Sequence, residues 1–486
     1  MRFRVSLPKL SGASLWADGG GLPLIVAITA AAVYLSTPAA RFNFDGVACA
    51  ISIELGDPRY LVHGNHVAYG ALGWLAHQAL RLLGYGGPAL LSLQAFSSLL
   101  GAAGAAGFCV LLLRLGFAPA LAAAASAGLA LSRLYWSWSL EAQVYPLGCA
   151  FLLWAAAELA RPEPRPVLLG LLQAGAILGH VGHVMFAIPA LALLPDARAR
   201  KRYLWALCAA TVAAYVAAVL IFVRPRTLDE LRIWLLGSAA LPVDRSFKWH
   251  GGYSWRALYD WIRVKLEFTT GGWVGGVLLW CCAAYGGVTA WRNTTAELPK
   301  RRWAVKLAVY WLLSYAVLYL SWQPHIVVYH YSDVPILWLL LACAADSAWA
   351  RERASPRSRA AFLACVAMII GFWNWASAIR PGSDPAANAD LQRALWLGRE
   401  TPEGAWVVVD QTDQVYVPYF AHRKPMNLRY FSDDARLKAR VRAARSAGEA
   451  VYAVPEVIPA WAGRSLEELG WRQVAARGGD RLYLIH

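Results

Sequence analysis

Long apolar runs alternate with short polar breaks along most of the chain. Runs able to span a hydrocarbon core of about 30 Å fall at 20–39, 88–113, 118–135, 142–160, 166–179, 183–195, 203–223, 270–291, 303–321, 331–349 and 360–378. The pair 166–179 and 183–195 is short and reads as a broken hairpin. From about Pro381 the pattern becomes that of a soluble domain. Asn388 to Arg399 and Asp433 to Arg445 predict helices, and Trp406 to Asp410, Ala450 to Val454 and Arg481 to Ile485 predict strands. The expected architecture is an all-α polytopic membrane bundle of about 11 transmembrane helices (1–380), followed by a small α/β domain (381–486). No internal repeat of the transporter kind is present.

The basic breaks orient this bundle. Arg114, Arg161 with Arg165, the run 198–202, Arg292 with 300–302, and 351–359 all fall on one side when the N-terminus is inside. An odd number of crossings then places the C-terminal domain outside, together with the loops 40–87 and 224–268. The N-terminal stretch, with Arg2, Arg4 and Lys9 before its apolar run, reads as a retained signal anchor because its Ala-x-Ala site is poor. Val67 to Leu83 is apolar but holds His77 and Gln78. It fits an amphipathic helix on the interface, as does Trp255 to Lys265.

Composition agrees with this pattern. Hydrophobic residues are 58% of the chain, charged residues 16%, and the mean hydropathy is +0.41, which exceeds what a soluble protein needs. The 24 Trp and 21 Tyr suit aromatic belts at the interfaces. The net charge of +16 gathers in the inner loops, so it is a topological signal and no indication of nucleic acid. Of the eight Cys, seven lie within apolar runs and Cys49 stands in the first outer loop, so no disulfide framework is expected.

Candidate chemistry collects on the outer side. Asp45, in Asn43-Phe44-Asp45-Gly46, follows the first span, and Glu141 opens another span on the same face. Carboxylates kept at the membrane surface are costly and usually functional. The plainer alternatives are a turn before Gly46 and a helix N-terminal acid preceded by Ser137 and Ser139. The pairs His63/His66 and His180/His183 have His-x-x-His spacing but no third ligand nearby. No metal site is assigned, and a divalent ion stays an alternative. His180 and His183 sit at an outer turn and suit polar lining. His330 and Asp333 are i,i+3 neighbours beside His325 and Tyr331. Outer cations include Arg59, Arg133, Arg224, Arg226, Arg232, Arg245, Lys248, Arg256, Arg263 and Lys265, most of which headgroup contact would explain. P-loop, GxGxxG, nucleophile-elbow and HExxH motifs are absent from the sequence.

Several stretches carry a resemblance. Phe42-Asn-Phe-Asp45-Gly46, Asn65 to Trp74, Tyr135 to Leu147 with Glu-Ala-Gln-Val-Tyr145, and Tyr329 to Pro335 together resemble the GT-C superfamily of membrane glycosyltransferases. That group includes protein O-mannosyltransferases and the transferases that place aminoarabinose on lipid A. The departures are Gly46 where the family usually has a second acid, and missing prolines after His66. The resemblance implies a polyprenyl-phosphate-linked sugar donor, a protein, lipid or glycan acceptor hydroxyl, and inversion at the anomeric carbon. Asp45 would serve as the base, Glu141 would assist, and Arg133 would stabilise the leaving phosphate. His66, Tyr145, His180, His183, His330 and Tyr331 would line the substrate site. The implied setting is a bacterial cytoplasmic (inner) membrane with its lipid bilayer as partner. Competing readings are a multi-pass transporter or flippase of lipid-linked precursors, and a non-catalytic assembly subunit.

Overall fold

The computed structural model describes residues 20–56, 61–240, 253–292, 298–431 and 433–486. Arg2, Arg4, Lys9, Asp57, Arg59, Arg245 and Lys248 lie outside the described residues. Helix α1 (Leu22–Leu35) ends at a polar turn. Then come α2 (Phe44–Leu55), α3 (Tyr69–Leu82), α4 (Ala89–Arg114), α5 (Pro119–Leu131), the short α6 (Arg133–Ser139), α7 (Tyr145–Leu159) and α8 (Pro166–Gly179). A 3-10 segment, Val181–Phe186, leads into α9 (Ala187–Leu193). Next are α10 (Ala197–Ala218), α11 (Leu228–Ala240), α12 (Trp255–Thr270), α13 (Trp273–Arg292) and α14 (Leu298–Ser321). The 3-10 turn Val327–Asp333 precedes α15 (Val334–Ala345), α16 (Ala348–Arg353) and α17 (Pro356–Asn374).

Among the described residues, six helical stretches are long and apolar enough to cross a membrane: Ala89–Arg114, Ala197–Val223, Trp273–Arg292, Lys300–Ser321, Val327–Ala345 and Pro356–Gly382. Five shorter apolar helices accompany them, at Leu22–Leu35, Pro119–Leu131, Tyr145–Leu159, Pro166–Gly179 and Val181–Leu193. Proline stands in the first two positions of α5, α7, α8, α15 and α17, where its missing N–H costs no helix hydrogen bond. Small residues permit the tight α4–α7 contact. A Cβ at Gly104 would lie 3.4 Å from Ala150 Cα, and one at Gly107 would lie 3.1 Å from the Trp154 ring.

The described parts of the 40–87 loop hold more regular structure than the sequence pattern indicates. Helix α3 occupies the amphipathic stretch, with Leu72, Trp74, Leu75 and Leu82 exposed. Helix α2 was not anticipated. The Asn43 side chain caps it by accepting from Asp45 N–H at 3.0 Å, and Gly56 closes it in the left-handed conformation. Trp255 to Lys265 lies within α12, as the pattern implies.

Beyond a single turn, α18 (Arg380–Gly382), the chain forms α19 (Ala389–Glu400), β1 (Trp406–Val409), α20 (Asp413–Tyr416) and β2 (Lys424–Asn427). It continues with α21 (Asp434–Ser446), β3 (Val451–Ala453), α22 (Ala460–Glu467), β4 (Trp471–Arg477) and β5 (Asp480–Ile485). The sheet order is β2-β1-β3-β5-β4, with β2, β1 and β3 parallel and β5 antiparallel to both β3 and β4. Val408, Met426, Leu437, Val441 and Leu466 fill one side of it and Val407, Val409, Trp396 and Leu482 the other.

This domain is fastened to the turn before α2. Ala40 N–H donates to Gly382 O at 2.8 Å, and Tyr416 Oη–H donates to Phe42 O at 2.5 Å. Asn388 has two duties. Its Oδ1 caps α19 by accepting from Leu391 N–H at 3.0 Å, and its Nδ2 donates to Ala40 O at 2.8 Å. Asn388→Ala should therefore lower stability by about 1 kcal/mol through the lost cap alone. Hydrogen exchange should accelerate at residues 40–43 as well as in α19; unchanged exchange at 40–43 would refute the fastening role.

Candidate functional site

Asp45 sits in the first turn of α2, where the helix dipole favours a negative charge. Its neighbours come from four other pieces of chain. The segment 61–68 brings His63 and His66, whose rings stack at 4.6 Å. Two backbone bonds hold that segment against the end of α8: Ala68 N–H to Leu178 O and Val181 N–H to Asn65 O, both 2.9 Å. Tyr215 of α10 adds a bond from its hydroxyl to Gly64 O at 2.7 Å. His180 thus lies beside this segment, with Tyr145 of α7 at 4.9 Å and Tyr329 at 5.8 Å between ring centroids. Tyr145 and Tyr329 are 6.2 Å apart, and Tyr329 stacks on Tyr319 of α14 at 5.2 Å. Asp45 interacts electrostatically with His63, Cys49, Tyr145 and Tyr329. The result is a chamber with one carboxylate and walls of imidazole and phenol.

Asp45 is open to solvent on one side and closely surrounded by protein on the others. Burial raises its carboxyl above the ordinary aspartate range, with His63 pulling the other way. His63 is pushed down to about 4 by burial and by His66, against the pull of Asp45. His66 is also pushed down to about 4, by burial and by His180. Near neutral pH both imidazoles are uncharged and can accept or donate hydrogen bonds. Among the described residues no three His, Cys, Asp or Glu side chains are grouped to hold a metal ion.

Glu141 stands in the link between α6 and α7, so it is not a helix N-terminal acid; Val144 caps α7. It lines a cavity of about 180 Å³ with Arg41, Arg133, Ser137, Trp138 and Gly382. Burial pushes Glu141 up to about 8, with Arg41 opposing. Burial and the neighbouring Arg41 lower Arg133, with Glu267 opposing. Asp45 is not among the described residues lining this cavity. The two acids flank one backbone contact, since a Cβ on Gly46 would run into the Ala142 carbonyl and stand 2.8 Å from Ala142 Cβ.

Beneath the chamber, Lys265 of α12 is buried in an ion pair with Asp333. His330 Nε2–H donates to Pro324 O at 3.0 Å, which leaves Nδ1 facing Lys265 Nζ at 3.2 Å and Asp333 Oδ2 at 3.1 Å. Its tautomer follows from this network. Lys265 Nζ also lies 4.3 Å from the centre of the Trp261 ring. Two other expected lining residues point into packed protein. His183 Nδ1 meets Tyr315 Oη at 2.7 Å, and Tyr331 stacks on Tyr135 at 4.7 Å while its hydroxyl meets Ser139 Oγ at 2.9 Å.

The structure therefore brings Asp45, His66, Tyr145 and His180 together, groups Glu141 with Arg133, and places His330 in the Lys265 cluster. Residue-by-residue reading passed over Arg41 and Tyr329. Arg41 stands four residues before Asp45, and Tyr329 adjoins His330; those positions were the available signal.

No family model and no curated protein matches the sequence. Solved structures do. ArnT from Cupriavidus metallidurans bound to undecaprenyl phosphate superposes with a TM-score of 0.63 at 14% identity, covering 98% of each chain. In the apo state the TM-score is 0.65. The Archaeoglobus fulgidus oligosaccharyltransferase tethered with an acceptor peptide gives 0.51 at 14% identity, over 91% of this chain and 69% of that one. The mycobacterial arabinofuranosyltransferase AftD gives 0.51 at 13%, over 95% and 41%. All three are GT-C glycosyltransferases. The chain has the GT-C fold. At these identities the match concerns the fold, and the GT-C comparison leaves chemistry to the residues above.

Two predictions follow the site's packing and charge. Gly46→Ala should push α2 off the 140–143 link at a cost of about 1–3 kcal/mol, read as a lower unfolding temperature; an unchanged temperature would refute the tight contact. Glu141 has a folded pKa of about 8 against an ordinary 4.5. The unfolded chain releases that proton first, so wild type should lose stability relative to Glu141→Gln as pH rises from about 4.5 to about 8, then level off. Parallel unfolding curves across that range would contradict the buried, uncompensated carboxyl.

Proposed function

We propose that this protein is a membrane glycosyltransferase that moves a sugar from a polyprenyl-phosphate donor to an acceptor hydroxyl. The reading is carried by one observation: in a chain that superposes on ArnT over 98% of both lengths, the N-terminus of α2 presents an accessible carboxylate in a largely closed chamber. The ArnT structure holds undecaprenyl phosphate, which supports a lipid-phosphate donor. The five shorter apolar helices are taken to cross with the six longer ones, giving eleven crossings, an inner N-terminus and an outer C-terminal domain. The transmembrane part (1–380) would carry the chemistry and the domain 381–486 would cover it from outside, in a bacterial cytoplasmic membrane.

In this reading Asp45 accepts the proton of the acceptor hydroxyl. The hydroxyl oxygen attacks the anomeric carbon opposite the lipid phosphate, so the C–O bond to phosphate breaks as the new glycosidic bond forms and the centre inverts. Tyr145, His66 and His180 position sugar and acceptor. Arg41 and Arg133 supply positive charge for the leaving phosphate. Their cavity is smaller than a drug-sized pocket, which is typically about 300–1,000 Å³, and suits a phosphate. Glu141, largely neutral below about pH 8, does not itself offset that positive charge.

The test is transfer by purified protein over a panel of labelled polyprenyl-phosphate sugars. Asp45→Asn should lower turnover about 10²–10⁴-fold, and its unfolding temperature at neutral pH should match or exceed wild type because a desolvated charge is gone. The acid limb of the wild-type pH–rate profile should lie above the ordinary aspartate range. Equal turnover by both proteins would refute the base assignment. Movement of intact donor across a bilayer without cleavage would favour a flippase instead.

A further inference from the structure

A second charged centre lies at the opposite end of the bundle, where α15 ends and α17 begins. Asp346, at the C-terminus of α15, receives three arginines from three helices. Arg301 of α14 donates through Nε at 2.8 Å and Nη2 at 2.6 Å, Arg351 of α16 through Nη2 at 2.7 Å, and Arg359 of α17 through Nη1 at 2.7 Å. The side chains of Arg301 and Arg359 are each only 10% exposed. Burial would raise the Asp346 carboxyl, but Arg351 and Arg301 hold it below its usual range, so it stays ionised.

One carboxylate does not balance this group. Arg301 is engaged at all three nitrogens, since it also donates to Leu115 O and Gly116 O, and it lies 3.7 Å from the centre of the Phe117 ring. Arg359 is not: its Nε–H is buried with no hydrogen-bond partner among the described residues. The arginines border a cavity of about 690 Å³ that also takes in Arg353, Glu352 and Ser355. Among the described residues that line it, four arginines stand with two acids. The N-terminus of α17 opens into the same cavity, capped by Ser355, whose Oγ accepts from Ser358 N–H at 3.1 Å.

We infer that this cavity binds the phosphate of an anionic phospholipid. Guanidiniums and a helix N-terminus are the groups that recognise phosphate. The lipid source follows from position. Two stretches apolar enough to cross a membrane, Val327–Ala345 and Pro356–Gly382, end and begin at the cavity, which puts it at headgroup level. From Arg359 an exposed apolar stripe of Phe362, Ile369 and Phe372, each 70% exposed, runs along α17 where an acyl chain would lie. The plainer account, a basic loop that only sets topology, does not require three helices to converge on one acid or a buried guanidinium with an idle N–H.

The test uses the full chain in neutral detergent, with thermal unfolding followed as lipid is added. Phosphatidylglycerol should raise the unfolding midpoint of wild type, and phosphatidylcholine should not. Arg351→Gln with Arg353→Gln should weaken the titration, by about fivefold for each arginine removed, with the lipid-free unfolding midpoint reporting separately any loss of fold. Arg359→Gln should weaken it too. An equal rise with phosphatidylcholine, or an undiminished rise in the double variant, would overturn the site. Inorganic phosphate that reproduces the whole rise would overturn the lipid assignment. No readout depends on transfer activity, so failure here leaves the proposed reaction untouched.

Discussion

The backbone contact between Gly46 and Ala142 sets the geometry of the end of the bundle that carries both acids. Because position 46 has no side chain, α2 can lie directly on the link between α6 and α7. Asp45 immediately precedes one partner and Glu141 the other, so a single close approach fixes both acids. It also fixes which way each looks, Asp45 into the imidazole and phenol chamber and Glu141 into the cavity with Arg41 and Arg133. Any side chain at 46 would have to separate these two backbones, and a chamber wall would move with it.

The acids at the two ends of the bundle are treated differently. At the end away from the C-terminal domain, Glu158 is paired with Arg165 at 2.8 Å and lies near Arg114 and Arg161, while Asp346 holds three arginines. Those carboxylates are structural knots that tie helix ends together. At the end beside the C-terminal domain, His63 is what draws the Asp45 carboxyl down against burial, and Glu141 feels Arg41 without a bond to it. A desolvated carboxylate outside any close ion pair is expensive in fold stability, and clusters of such groups mark functional sites. The contrast within one chain is more informative than either end alone.

Much of the fold was legible, and the omissions have physical causes. Lipid demands long apolar runs, so the long apolar helices between α4 and α17 announce themselves, while the short or polar α6, α11 and α16 do not. In the C-terminal domain β1, β3 and β5 were readable because they are interior strands with buried apolar positions. The two missed strands, β2 and β4, are the sheet edges. Pro425 in β2 and the exposed Arg472 and Gln473 in β4 are what an edge strand tolerates and what hides it from pattern reading. Helix α2 was missed for a related reason: it is short, carries Gly46, and gains its stability from what it lies on. The acids themselves were visible from their placement. Their division between two chambers was not, because it depends on a contact between residues 96 positions apart.

The C-terminal domain then acquires a physical role as a clamp on α2. At the helix start, Tyr416 and Asn388 bond the carbonyls of Phe42 and Ala40, and Phe420 stacks on Phe42 at 5.3 Å. At its end, Tyr419 Oη–H donates to Glu54 Oε1 at 2.9 Å, and the same oxygen accepts from Ala89 N–H at 2.8 Å, the first residue of α4. A helix of twelve residues is marginal alone. Held at both ends by a separate domain and pressed on its middle through Gly46, it becomes a rigid carrier for one carboxylate. In the proposed reaction that rigidity matters, because proton transfer depends on holding the acceptor atom within hydrogen-bond reach. The C-terminal domain thus contributes to the chamber without lending it a reactive group.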